Sequence, residues 1–193
     1  MLRKLALAVG IGCFTLPAFA ASERFTLDSA HTAVAFLIDH VGYAKTLGSF
    51  TDVEGSFSFD ADSGEITDVN IVVKTSSVDS ANEARDKHVR NKDFLDVQTH
   101  PEMIFTASSA TLDADGMVEI SGELQLLGQL QPLVLSATLN KAEKYPFGHK
   151  SFTLGVSARG TVQRSAYGMD YGVANGLVGD TIDLIIEAEA IQD

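Results

Sequence analysis

Apolar and polar residues alternate with a period of two along most of this chain. "VEISGELQL" places Val118, Ile120, Gly122, Leu124 and Leu126 on one side and Glu119, Ser121, Glu123 and Gln125 on the other. Successive side chains of a strand point to opposite faces, so such a run predicts a strand with one buried face. "LVLSATLN", "FTLGVSARGTV" and "TIDLIIEAEA" repeat the pattern, as do "AVAFLIDH", "EGSFSFD", "DVNIVVK" and "PEMIFTAS" nearer the front. Eight strands are predicted, near 31–40, 49–60, 65–75, 101–110, 117–127, 132–141, 151–163 and 180–190. Asp62-Ser63-Gly64, Asp113 through Gly116, and Gly128 through Pro132 carry hairpin turn chemistry, which makes neighbours antiparallel. No linker, repeat or low-complexity tract divides the chain, so it reads as one domain.

"SVDSANEARDKHVRNKDFLDV" breaks the alternation. Ser80 and Glu83 have the spacing of a capping box, and no Pro or Gly interrupts Ala81 to Arg90. Glu83–Lys87 and Asp86–Arg90 are four apart with the acid first, the better order in a helix. This spacing predicts a self-supporting helix. A second helical turn is predicted around Tyr43 and Leu47.

Eight antiparallel strands can close into a barrel that holds side chains or one small ligand, or they can pack as a solid two-sheet sandwich. Gly122, Ala137, Gly155, Ala158, Gly160 and Ala188 are small, and some fall on apolar faces. They leave room for a ligand, or they fit a dense core.

The chain begins with a basic pair, Arg3 and Lys4, an apolar run, and Ala18-Phe19-Ala20, the pattern of a cleavable secretory leader over 1–20. Taking 20 residues off 193 leaves 173, and losing two cations turns a net charge of −12 into −14. The mature chain is expected to start at Ala21 or Ser22 in an oxidising compartment outside the cytoplasm. Cys13 is the sole cysteine and lies in the leader without a lipidation context, so no disulfide and no thiolate metal site is expected. Strong acidity argues against nucleic-acid binding and allows only transient membrane contact. No later stretch is long and apolar enough to span a bilayer as a helix. An outer-membrane barrel is disfavoured, because there is no Trp and there are only four Tyr to form aromatic girdles.

The five histidines, at 31, 40, 88, 100 and 149, form no metal-binding spacing, and neither metal nor cofactor is expected. His31 and His40 merely bracket the first predicted strand. No G-x-S-x-G, Cys nucleophile or nucleotide loop is present, so no catalytic residue is assigned. Arg85 and His88, three apart on the insert, either meet a polar head group or belong to a solvated helix. Arg164 reads equally as a turn anchor.

"LDSAHTAVAFLIDHVGYAKTLGSFTDVEGSF", "TSSVDSANEARDKHVRNKDFLDV", "HPEMIFTAS", "GELQLLGQLQPLVL" and "LVGDTIDLIIEAE" together resemble the YceI-like proteins. Gln129-Leu130 replaces a Val-Thr-Lys type of turn, and "RSAYGMDYGV" is a Tyr-Gly version of an Arg-x-x-Phe-Gly element. The resemblance implies an all-β, eight-stranded antiparallel, lipocalin-like barrel with the helical insert capping its mouth. It implies a periplasmic carrier of polyisoprenoid or another long-chain lipid, with no catalysis. The alternative is an enzyme or redox accessory acting on a quinone-like isoprenoid in the same tunnel. The wall residues it points to are Val34, Phe36, Ile38, His40, Phe50, Phe57 and Phe59. Phe94, Met103, Phe105, Leu124 and Phe152 extend the wall, and Arg85 and His88 are placed at the head group.

Overall fold

The computed structural model describes residues 22–193. The expected leader, Cys13 included, lies outside them. Eleven strands form one antiparallel sheet: β1 Glu23–Leu27, β2 Ala33–His40, β3 Ala44–Phe50, β4 Val53–Phe59, β5 Glu65–Lys74, β6 Val78–Asp79, β7 Glu102–Thr111, β8 Met117–Leu126, β9 Gln129–Lys144, β10 Phe152–Gln163 and β11 Val178–Gln192. The order β1-β4-β5-β7-β8-β9-β10-β11 returns to β1, which closes the ring at eight strands. Closure removes every free edge from that ring and decides for the barrel over the sandwich.

The extra strands lengthen ring members. β2 continues β1 past a short 3-10 turn at Ser29–His31, and both lie along β11. β3 and β4 are likewise parts of one kinked strand, pairing with β2 and β1 in turn. β6 prolongs β5 and pairs with β3 only at Ser49–Asp79 and Phe50–Val78.

Three strands escaped the alternation: β6 has only two residues, and β1 and β3 were hidden for different reasons. β1 is five residues long and buries only Phe25. β3 turns Thr46 and Phe50 towards the barrel interior and leaves Leu47 58% exposed, so its pattern is inverted. The helical turn expected around Tyr43 and Leu47 is therefore a hairpin: Val41 (φ 53°) and Gly42 (φ 70°) make a two-residue turn of the left-handed type, which matches strand twist. The turn expected at Gly128–Pro132 is shorter, confined to Leu127 and Gly128. Pro132 instead lies within β9 opposite Glu123, where β10 has not yet joined the other edge and no N–H is required.

The insert does form a helix, α1 Glu83–Val89, but its start and its support differ from expectation. Ala81 adopts φ 58°, so helical geometry cannot begin at Ser80. Asn82 is the N-cap, its side chain accepting from Arg85 N at 3.0 Å. Buried Asp86 accepts from Ser80 N at 2.9 Å and Ser80 Oγ at 2.5 Å rather than pairing with Arg90. Arg90 donates to the carbonyls of Ser76 and Val78. Glu83 and Lys87 form no ion pair. Seven residues are too few for an autonomous helix. The insert is thus held by the buried Ser80–Asp86 bonds, by Arg90 on the Ser76 and Val78 carbonyls, and by the burial of Phe94 and Leu95, which are 9% and 6% exposed.

Candidate functional site

The inward faces of the ring enclose a cavity of about 560 Å³. Every strand of the closed ring except β1's first residues contributes apolar side chains: Phe57 from β4, Ile71 from β5, Phe105 from β7, Ile120 from β8, Leu135 from β9, Val156 from β10 and Leu184 from β11, with Phe36 from β2. Several of these pack on the core yet stay partly accessible, because they face open interior space. At one end the lining reaches the surface through Val41, Tyr171 and Leu177, which are 41%, 43% and 43% exposed.

Thirteen of the fourteen residues singled out from the sequence line this cavity; Phe152 does not. Its ring packs edge-on against Phe25, with centroids 6.4 Å apart, so it supports the wall from the side of β1. The small residues divide as well. Ala137, Ala158 and Ala188 line the space, whereas Gly122 fits beneath a neighbour: a Cβ there would come within 2.6 Å of the Phe105 ring. Gly48 does the same for Phe36, with a Cβ only 2.4 Å from Cζ. These glycines let aromatic rings lie flat along the wall.

The polar groups gather at the open end. Arg85, from α1, donates through Nε to Ser80 Oγ at 2.7 Å and through Nη2 to the Ser80 carbonyl at 2.6 Å. His88 faces Asp93 at 3.3 Å and meets the rings of Phe94 and Tyr171 edge-on, at 5.1 and 5.2 Å. Much of the donor capacity expected to serve a head group therefore holds the insert in place. Among the described residues Arg85 Nη1 has no hydrogen-bond partner and is the donor left over at the rim. Asp39, His40 and Tyr171 complete this rim. Asp39 and Tyr171 went unread, since one looks like an outward polar residue and the other sits in an irregular loop.

Arg164 is the turn anchor. It is fully buried and donates to the carbonyls of Gly179 (2.7 Å), Met169 (2.7 Å), Tyr171 (2.8 Å) and Val178 (3.1 Å). Its guanidinium also sits 5.7 Å from the centre of the Phe94 ring. Burial pushes its pKa below the ordinary value, and Asp180 and Asp170 oppose that shift. Arg164 thereby fixes the β10–β11 loop, and with it Tyr171, against the insert. Apart from the cavity, Asp28, His31 and Glu189 bring three metal-ligating side chains together, a convergence that residue spacing did not reveal.

A small closed antiparallel barrel around a largely apolar cavity, with charged groups gathered at one mouth, defines the class. The model of the YceI-like domain matches residues 25–190, and the chain belongs to that family. A UPF0312 protein of Pseudomonas savastanoi pv. phaseolicola is 34% identical over 196 residues, covering 100% of this chain and 99% of its own. Protein YceI of Escherichia coli is 34% identical over 175 residues, 91% of this chain and 89% of its own. Among solved structures, the Campylobacter jejuni YCEI protein superposes with a TM-score of 0.72 at 27% identity, covering 81% of this chain and 90% of its own. A polyisoprenoid-binding domain from Saccharophagus degradans, implicated in plant cell wall breakdown, matches in fold with a TM-score of 0.63 at 15% identity, covering 90% and 100%. Among the described residues no helix is long and apolar enough to cross a membrane.

Proposed function

We propose that this protein is a periplasmic carrier that holds a polyisoprenoid or a similar long-chain amphiphilic lipid in its barrel. The observation that carries the reading is the distribution of charge: a largely apolar wall around about 560 Å³, within the size range of small-molecule sites, with the ionisable lining residues Asp39, His40, Arg85 and His88 gathered at one end. A hydrocarbon tail gains contact with the wall and loses nothing to unmet hydrogen bonds. A head group would stay at the rim near Arg85 and His88. The polyisoprenoid-binding domain of shared fold supports the ligand class. The pattern at Met1–Ala20 supports export, and intact mass of the secreted protein would reveal the cleavage point.

Binding rather than catalysis is the role proposed, since the wall offers no acid–base pair to a buried chain. Purification from the native host, followed by mass spectrometry of the organic extract, tests the reading. An isoprenoid at about one per chain is expected. Recovery of a chemically altered quinone-like ligand after incubation would favour the enzyme reading instead, and an empty or purely polar extract would overturn the lipid assignment.

A further inference from the structure

On β11 one edge is handed from β2 to β1. The β2 pairing ends at Glu187–Ala33 and the β1 pairing begins at Ala190–Leu27. Residues 28–32 bridge this gap, and Asp28 N donating to Glu189 O at 2.9 Å is the backbone tie across it. Here Asp28 Oδ2 meets His31 Nδ1 at 2.7 Å, and the same nitrogen lies 3.8 Å from Glu189 Oε2. All three donor atoms fall within 4.8 Å of one another.

A second observation concerns one of those atoms. Glu189 Oε2 is sealed from solvent and has no hydrogen-bond partner, although the side chain as a whole is 32% exposed. It is the only such buried side-chain atom among the described residues. The Tyr145 hydroxyl hydrogen-bonds the Glu189 carboxylate, yet Oε2 itself keeps no partner; a shielded carboxylate oxygen left so is costly, and a cation removes the cost.

We propose that Asp28, His31 and Glu189 form a binding site for a divalent transition-metal cation of the zinc type. One imidazole nitrogen with two carboxylate oxygens suits such an ion better than magnesium or calcium, which favour oxygen-only shells. Ligand atoms about 2.0–2.1 Å from zinc in a tetrahedron stand roughly 3.3 Å apart. The observed 2.7 and 3.8 Å bracket that separation, so small side-chain rotations suffice. The ion takes the place of the proton between His31 and Asp28, and that proton leaves to solvent. His149 stands close enough for its charge to act on Asp28. Its Nδ1 accepts from Ser151 N at 3.1 Å and its ring packs on Tyr145, so water is the expected fourth ligand. Bound there, the ion would clamp the β1–β2 turn to β11. The site is separate from the lipid reading and stands or falls without it.

The test is calorimetric titration of the chelator-treated mature protein with Zn²⁺ alone, with Mg²⁺ run in parallel. One Zn²⁺ per chain is expected, with a rise in unfolding midpoint and no response to Mg²⁺. Glu189→Gln and His31→Ala should each weaken zinc about tenfold or more, whereas His100→Ala should not. Absence of one-site binding, or binding that survives both variants, overturns the proposal. Should either variant fail to fold, the ¹⁵N resonances of the wild-type imidazoles decide: a zinc-induced shift at His31 Nδ1 supports the site, and an unmoved His31 overturns it.

Discussion

Replacing Phe36 with Ala separates an open wall from a filled core. In a filled core Phe→Ala removes buried surface and leaves a void, at about 3–5 kcal/mol. Phe36 has a different setting. One side of its ring rests on Gly48, with Phe50 5.7 Å away, and the other side lines the cavity. No new void opens on the cavity side, because space is already there. An aromatic side chain buries about 150–250 Å². If half of that lies against Gly48 and Phe50, less the methyl that Ala keeps, the loss at ~25 cal/mol per Å² is about 2 kcal/mol. The exposed half would then be covered only by a lipid tail, so its loss belongs to binding and comes to about 2 kcal/mol, roughly thirtyfold in affinity. Urea unfolding with and without a polyisoprenoid ligand measures both quantities. The apo midpoint should fall modestly with the urea slope unchanged, and lipid should stabilise the variant much less than the wild type. An apo loss of the full 3–5 kcal/mol with unaltered lipid affinity would refute the reasoning and put Phe36 in a sealed core.

Arg164→Met strands four carbonyls, at least some of them in buried surroundings, and should cost about 3–5 kcal/mol in thermal or urea unfolding; Arg164→Lys should recover little, because an ammonium cannot reach all four partners. Replacing Arg85 and His88 together with Gln should weaken a lipid with an anionic head group more than a neutral hydrocarbon of equal length in a competition assay, and equal loss of both would mean that the insert acts as a cover alone. Hydrogen bonds from Asp62 N and Ser63 N hold the Asp60 carboxyl below its ordinary 3.8. A depressed folded-state pKa stabilises the fold above the unfolded value and ceases to do so as pH falls through the folded one. Asp60→Ala should therefore lower the midpoint at neutral pH and lose that effect well below 3.8, as unfolding scans across pH would record.

The alternation carried most of the ring: seven of its eight strands together with β2, and eleven of the twelve wall residues named are among those lining the cavity. It failed where the pattern itself fails. β3 hides because its outward Leu47 and inward Thr46 reverse the usual order, and β1 hides because five residues hold too little pattern. The insert was legible as a helix, but not what anchors it. Asp86 and Arg90 at helical spacing suggest a surface pair, and only the fold brings Ser80 and the β6 carbonyls close enough to claim them first. Phe152 has the same phase as its cavity-lining neighbours on β10. It falls outside because Phe25, on a strand that was not foreseen, lies across it. His31, Asp28 and Glu189 were legible only as separate residues, since Glu189 lies 161 positions beyond Asp28 (189 − 28).

β3 pairs with β6 at two positions only, so from Ala44 to Gly48 its outer edge has no strand beside it. Along those five of its seven residues the wall ends at β3 without a further ladder. Unzipping a ladder breaks backbone hydrogen bonds one after another, whereas sliding packed side chains apart breaks none. The barrel is thus stitched all round at one rim and merely buttoned along one side at the other. For the lipid carrier proposed above, this stretch of β3 is the side of the wall where no backbone ladder beyond β3 has to part between cavity and solvent.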